Sequence, residues 1–191
     1  REAYASQRVA CGAGLEHSSR EVAEHGDTFF CADSFGPGSS FFKGSDHSYC
    51  VNADYVEGPQ AKKNPGSWCY VDSSCQQLHG GEAVNGNVSY KMCEEGSGES
   101  LGELTPKELF ALTGGLSKKG LHVDCQVAAL MAYPWAGPAP ENGSLPAAKY
   151  DASAKPLVGA SDDPEAFAVV YRDEVWEVKM GPVGECKRGC E

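Results

Sequence analysis

Apolar and polar positions alternate most cleanly near the carboxyl end. Phe167, Val169 and Tyr171 alternate there with Ala168 and Val170, and Trp176, Val178 and Met180 alternate with Glu177 and Lys179. A period of two sends successive side chains to opposite faces, so this pattern predicts a β-hairpin turning near Arg172-Asp173-Glu174. Upstream the period changes. Thr105-Pro106-Lys107-Glu108 is a capping box with proline at the first helical position, and Leu109, Phe110 and Leu112 follow it. Gly114-Gly115 is expected to stop that helix. Val123, Val127, Leu130 and Met131 fall near helical spacing between Leu121 and Tyr133, where Pro134 ends the run.

The amino-terminal half is patterned differently. Leu15, Val22 and Ala23 give residues 14–25 a thin apolar stripe that suits a short surface helix. From Phe29 to Phe42, aromatic pairs flank Gly36-Pro37-Gly38, which predicts short extended pieces joined by turns. Residues 56–67 read as an exposed loop. Gly80-Gly81 and Asn85-Gly86-Asn87 read as turns, the second suited to positive φ. Residues 94–102 are acidic and small, as a linker would be. Residues 134–165 are rich in proline and lack apolar periodicity, so they are expected to wrap over a surface as an extended arm.

Cysteine changes the picture most. Of the 191 residues 9 are Cys, beside 23 Gly and 11 Pro. Cys11, Cys31, Cys50, Cys69, Cys75 and Cys93 crowd the first half, while Cys125, Cys186 and Cys190 lie in the second. No Cys-x-x-Cys occurs and the tight pairs are Cys69/Cys75 and Cys186/Cys190 alone, so a disulfide framework in an oxidising compartment is the expectation over metal ligation. An odd count leaves at least one thiol over, and spacing alone does not choose among the possible pairings. Cys186 or Cys190 is a candidate to tie the tail to Cys125.

Net charge is −11 with both halves acidic. That excludes a basic face for nucleic acid or anionic headgroups, and makes a basic protein surface the better partner. The longest apolar runs are far below the ~18–20 residues that span a bilayer. Catalytic motifs are missing too: there is no Gly-x-Ser-x-Gly elbow and no phosphate-binding glycine loop. Gly44-Ser45-Asp46-His47 reads as a turn. His17, His25, His47, His79 and His122 have no metal-ligand spacing. No catalytic residue, metal or cofactor is expected. Asn87-Val88-Ser89 and Asn142-Gly143-Ser144 are glycosylation sequons.

Tyr49-Cys50-Val51-Asn52-Ala53-Asp54, then Gly66-Ser67-Trp68-Cys69-Tyr70-Val71 and Cys75, resembles the core of kringle and fibronectin type II modules over residues 29–93. The resemblance implies the pairs Cys11–Cys93, Cys31–Cys69 and Cys50–Cys75. It also implies that aromatic side chains either fill a small core, the reading favoured for Trp68, or line a ligand face. Trp135, Tyr133 and Pro138, in a Pro/Gly-rich stretch, are the better interface candidates, Trp being a frequent interface anchor.

The expected fold is therefore α+β, small and disulfide-rich. It comprises a kringle-like module over 1–93, a linker over 94–102, and two short helices with a terminal hairpin over 103–191. The Ser-Trp-Cys-Tyr-Val element and the acidic Gly/Ser/Ala-rich body resemble Cys-rich proteins of dinoflagellate algae, some of which are accessory subunits of photosystem–antenna complexes. That resemblance implies a non-catalytic subunit, peripheral to the thylakoid membrane on its lumenal side and partnered with photosystem I core and antenna proteins. The alternative is a secreted module that binds a glycan or peptide through Trp68 and Tyr70.

Overall fold

A computed structural model describes residues 47–52, 66–120, 123–136 and 155–190. The expected helix at 14–25, the aromatic strands of 29–42, most of the 56–67 loop, Cys11, Cys31, Pro138, Asn142 and the central part of the arm lie outside the described residues. The chain divides into two compact units whose sequence boundary falls between Ser100 and Leu101. The described part is a small α+β protein with two antiparallel sheets, two helices and two disulfides.

In the first unit, β1 (Val51–Asn52), β2 (Ser67–Asp72) and β3 (Val88–Cys93) form an antiparallel sheet with β2 in the middle. The register pairs Val51 with Trp68, Trp68 with Met92, and Tyr70 with Tyr90. Because side chains alternate along a strand, those residues share one face. Trp68, Val51 and Val88 are essentially inaccessible there. Tyr70 meets the Trp68 indole edge-on at 4.9 Å, and Tyr90 does so at 6.2 Å.

The turn chemistry between β2 and β3 is only partly as expected. Gly80 takes φ +94, and Gly81 packs so closely that a Cβ would meet the Tyr90 carbonyl. Gly86 does not use positive φ. The Asn85 side chain makes that turn instead, its Oδ1 accepting from the amides of Asn87 and Val88 at 2.9 Å each. The expected linker is also structured at its end. Glu99 is paired with Lys91 at 2.8 Å, the Cys50 amide donates to the Glu99 carbonyl, and Ser100 is buried.

In the second unit, a 3-10 turn (Leu101–Glu103) precedes α1 (Pro106–Lys118). The capping box forms as read: the Glu108 amide donates to Thr105 Oγ1, and Glu108 Oε2 accepts from the Thr105 amide at 2.8 Å. Gly114-Gly115 does not stop the helix. The next turn carries Leu116 into the core, and Thr113 Oγ1 donates to the Pro182 carbonyl at 2.6 Å. Those two anchors outweigh the ~1 kcal/mol each glycine costs in a helix. The stop comes at Gly120, with φ +82.

Helix α2 (Cys125–Ala132) begins later than the apolar run suggested. Asp124 caps it, its Oδ1 accepting from the Gln126 amide at 2.7 Å. The expected hairpin is the middle of a four-stranded antiparallel sheet. Its strands are β4 (Leu157–Ala160), β5 (Ala166–Tyr171), β6 (Glu174–Lys179) and β7 (Glu185–Arg188). Arg172, with φ 56, makes the two-residue turn between β5 and β6. Strand β4 corrects the arm: its last third pairs in the sheet, Val158 opposite Val169 and both fully buried. Leu109, Phe110, Ala129, Tyr133 and Val178 complete the core.

Candidate functional site

Among the described residues two features stand out, one in each unit. The first is made of sulfur. Cys69 and Cys93 lie on the sheet face opposite Trp68, and the register that pairs Val51 with Trp68 brings Cys50 beside Cys69 one step further. Cys50 and Cys93 are joined by a disulfide, with their Cα atoms 6.5 Å apart. Cys69 is a thiol, and the three Sγ atoms lie within 4.8 Å of one another. Lys91 stands opposite Cys69 in the register. Burial pushes the Cys69 thiol above its ordinary range, against the opposing pull of the Lys91 ammonium.

This arrangement corrects the pairing implied by the kringle resemblance. Cys50 bonds to Cys93 in place of Cys75, which removes Cys93 from Cys11, and Cys69 and Cys75 carry no disulfide. The chain beyond β3 folds back on Cys50, whose amide donates to the Glu99 carbonyl and which is bridged to Ser100, whereas Cys75 sits beyond the end of β2 in a turn closed by the Asp72 carbonyl. Nor is the tail tied to Cys125. Cys186 and Cys190 bond to each other, and Cys125 is a buried thiol donating to the Lys179 carbonyl at 3.1 Å. Burial pushes that thiol up to about 12.

The second feature is the loop between β6 and β7. Met180 and Val183 are 75% and 60% exposed, the large apolar side chains most open to solvent among the described residues. Their backbone is fixed from two sides. The Gly181 carbonyl accepts from the Cys125 amide at 2.6 Å, and the Pro182 carbonyl accepts from Thr113. Gly114 lets Val183 approach α1, since a Cβ there would stand 3.3 Å from Val183 Cγ2. Beside the loop, Lys179 pairs with Asp163 at 2.8 Å, and Lys187 pairs with Glu185 at 2.8 Å and Glu177 at 3.3 Å. A rigid apolar tip with a paired, charged border is suited to docking, because little conformational freedom is left to lose on binding.

Among the aromatic candidates, Trp68 takes the core position that the favoured reading gave it. Trp68 and Tyr70 are core side chains, so neither offers a ligand face for a glycan or peptide while the sheet is closed. Tyr133 is 1% exposed, its hydroxyl donating to the Leu104 carbonyl at 3.0 Å. Trp135 is half-buried, edge-on to Phe167 at 5.6 Å, with its strand segment bridged to Val158. Tyr133 meets Leu104, distant in sequence, in place of the expected exposure, and Trp135 is covered in part by Phe167. The alternating pattern puts Met180 in phase with Trp176 and Val178, but β6 ends at Lys179 and leaves Met180 exposed; Val183 was not singled out, although an apolar residue beside Gly181-Pro182 in a polar tail was the available signal.

Asn87 is exposed at its turn, and His79 pairs with Glu94 at 3.1 Å. No helix among the described residues is long and apolar enough to cross a membrane. Compared with known proteins, the chain matches no family model, no curated protein and no solved structure.

Proposed function

We propose that the chain is a non-catalytic accessory subunit that docks onto a larger protein assembly through the Met180–Val183 loop. The observation that carries this reading is the fixed backbone beneath two exposed apolar side chains. Buried apolar anchors at the centre of a contact supply most interface energy, and a preformed loop avoids the entropy cost of ordering it. The acidic charge favours a basic partner surface. Disulfide-bonded cysteines are compatible with an oxidising compartment.

The partner we propose is a membrane photosynthetic complex, photosystem I with its antenna, approached from the thylakoid lumen. Support for that finer assignment is the resemblance of the Ser67–Val71 element and the acidic small-residue body to dinoflagellate accessory subunits. The test is native electrophoresis of detergent-solubilised source membranes, with the chain located by mass spectrometry. Comigration with a chlorophyll-containing band is expected. A Met180→Glu/Val183→Glu variant should reduce the comigrating fraction about tenfold or more, the loss of roughly one interface anchor. Recovery of the native chain only as a free protein would sink the proposal.

A further inference from the structure

The sulfur cluster of the first unit has a chemistry that docking does not use. Two of its sulfurs are already bonded to each other, so as it stands it is not a set of metal ligands. What it does contain is a thiol in contact with a disulfide. Cys69 Sγ lies 3.8 Å from Cys93 Sγ, and Cys50 Sγ is also within reach. We propose that Cys69 is the resident nucleophile of an internal thiol–disulfide exchange site, which moves the bond from Cys50–Cys93 to Cys50–Cys69.

The direction of exchange follows from the sheet. A disulfide needs Cα atoms about 4.4–6.8 Å apart. Directly opposed residues of antiparallel strands lie at about 4.5–5.5 Å, which suits Cys50 and Cys69 one step beyond the Val51–Trp68 pair. Cys69 and Cys93 are diagonal neighbours instead, since Cys69 opposes Lys91 and Cys93 opposes Ser67. Diagonal pairs lie at about 7–8 Å, outside the range a disulfide accepts without backbone movement. Attack at Cys50 therefore joins directly opposed positions of neighbouring strands, the less strained product, whereas attack at Cys93 joins a diagonal pair.

The step is redox-neutral. Cys69 gives up its proton, and its thiolate attacks Cys50 Sγ. The Cys50–Cys69 bond forms as the Cys50–Cys93 bond breaks, the electron pair leaves on Cys93 Sγ, and Cys93 takes up a proton. No oxidant or reductant is consumed, and the thiol count is unchanged. The staple then joins the adjacent strands β1 and β2, and the carboxyl end of β3 is released from β1. Among the described residues, Lys91, Glu99 and Cys75 are the charged or titratable groups that act on the Cys69 thiol.

Peptide mapping of the full oxidised chain tests this. The protein is incubated at about pH 9, where thiolate becomes available, without added oxidant or reductant. It is then quenched in acid, alkylated and digested, and tandem mass spectrometry separates Cys69 from Cys75. The expected result is a Cys50–Cys69 linkage that grows with time, matched by equal loss of alkylated Cys69 and gain of alkylated Cys93. Persistence of Cys50–Cys93 as the sole Cys50 linkage, or formation of Cys50–Cys75, would overturn the proposal. A Cys93→Ser variant oxidised during folding gives a second readout. It should yield Cys50–Cys69, and recovery of both as thiols, or of Cys50–Cys75, counts against the exchange site.

Discussion

The two units reach stability by different routes. The second buries side chains from a 3-10 turn, two helices and four strands around Leu109, Tyr133, Val158, Val169 and Val178, and its disulfide closes only the span from Cys186 to Cys190. Among the described residues the first has three short strands with Trp68 as the largest buried side chain, and a disulfide that spans a sequence separation of 43. The described sheet is small, so a long-range cross-link has more to contribute there than a short one. Among the described residues one unit is stapled and the other is packed, and the same cysteine-rich chain uses both solutions.

That contrast can be broken most severely at the staple. A Cys50→Ser/Cys93→Ser variant should lose about 4 kcal/mol in the first unit by the chain-entropy relation, whereas Cys186→Ser/Cys190→Ser should lose only about 2 kcal/mol in the second. Chemical denaturation, read through Trp68 for one unit and Trp176 for the other, separates the two effects. Next in size is the packed core. Leu109→Ala should cost about 3 kcal/mol, confined to the second unit, because it empties a fully buried site.

Alkaline pH sharpens the comparison further. Burial holds the Cys125 thiol near 12 and raises the Tyr133 phenol as well, so both stay neutral in the folded second unit. An acid whose folded pKa lies above its unfolded one stabilises fully below the unfolded value, and that contribution is lost as pH rises toward the folded value. The melting temperature of the second unit should therefore fall between about pH 9 and pH 12, and Cys125→Ala should flatten the fall. The smallest effect is a gain. Gly115 is exposed within α1 and has no atom within 4 Å of a would-be Cβ, so Gly115→Ala should stabilise the second unit by about 0.5–1 kcal/mol. Thermal melts resolve a change of that size.

Legibility in the sequence followed the range of the interaction. The Thr105–Glu108 capping box and the β5–β6 hairpin are local, written within a few residues, and both form where the pattern placed them. Strands β4 and β7 are short edge strands recruited by β5 and β6, and neither carries a period of its own. The burial of Tyr133 depends on Leu104, and the exposure of Met180 depends on where β6 ends. Disulfide choice is the extreme case. Cys50 and Cys93 are brought together by tertiary contacts, among them the return of Glu99–Ser100 to Cys50, which no spacing records.

Hydrogen exchange of the intact chain, followed by mass spectrometry with and without a disulfide reductant, tests the central contrast most directly. Peptides covering β2 and β3 should lose protection on reduction, while those covering β5, β6 and α2 keep it. Equal loss in both units, or protection of β2 and β3 that survives reduction, would contradict a stapled first unit and a packed second one.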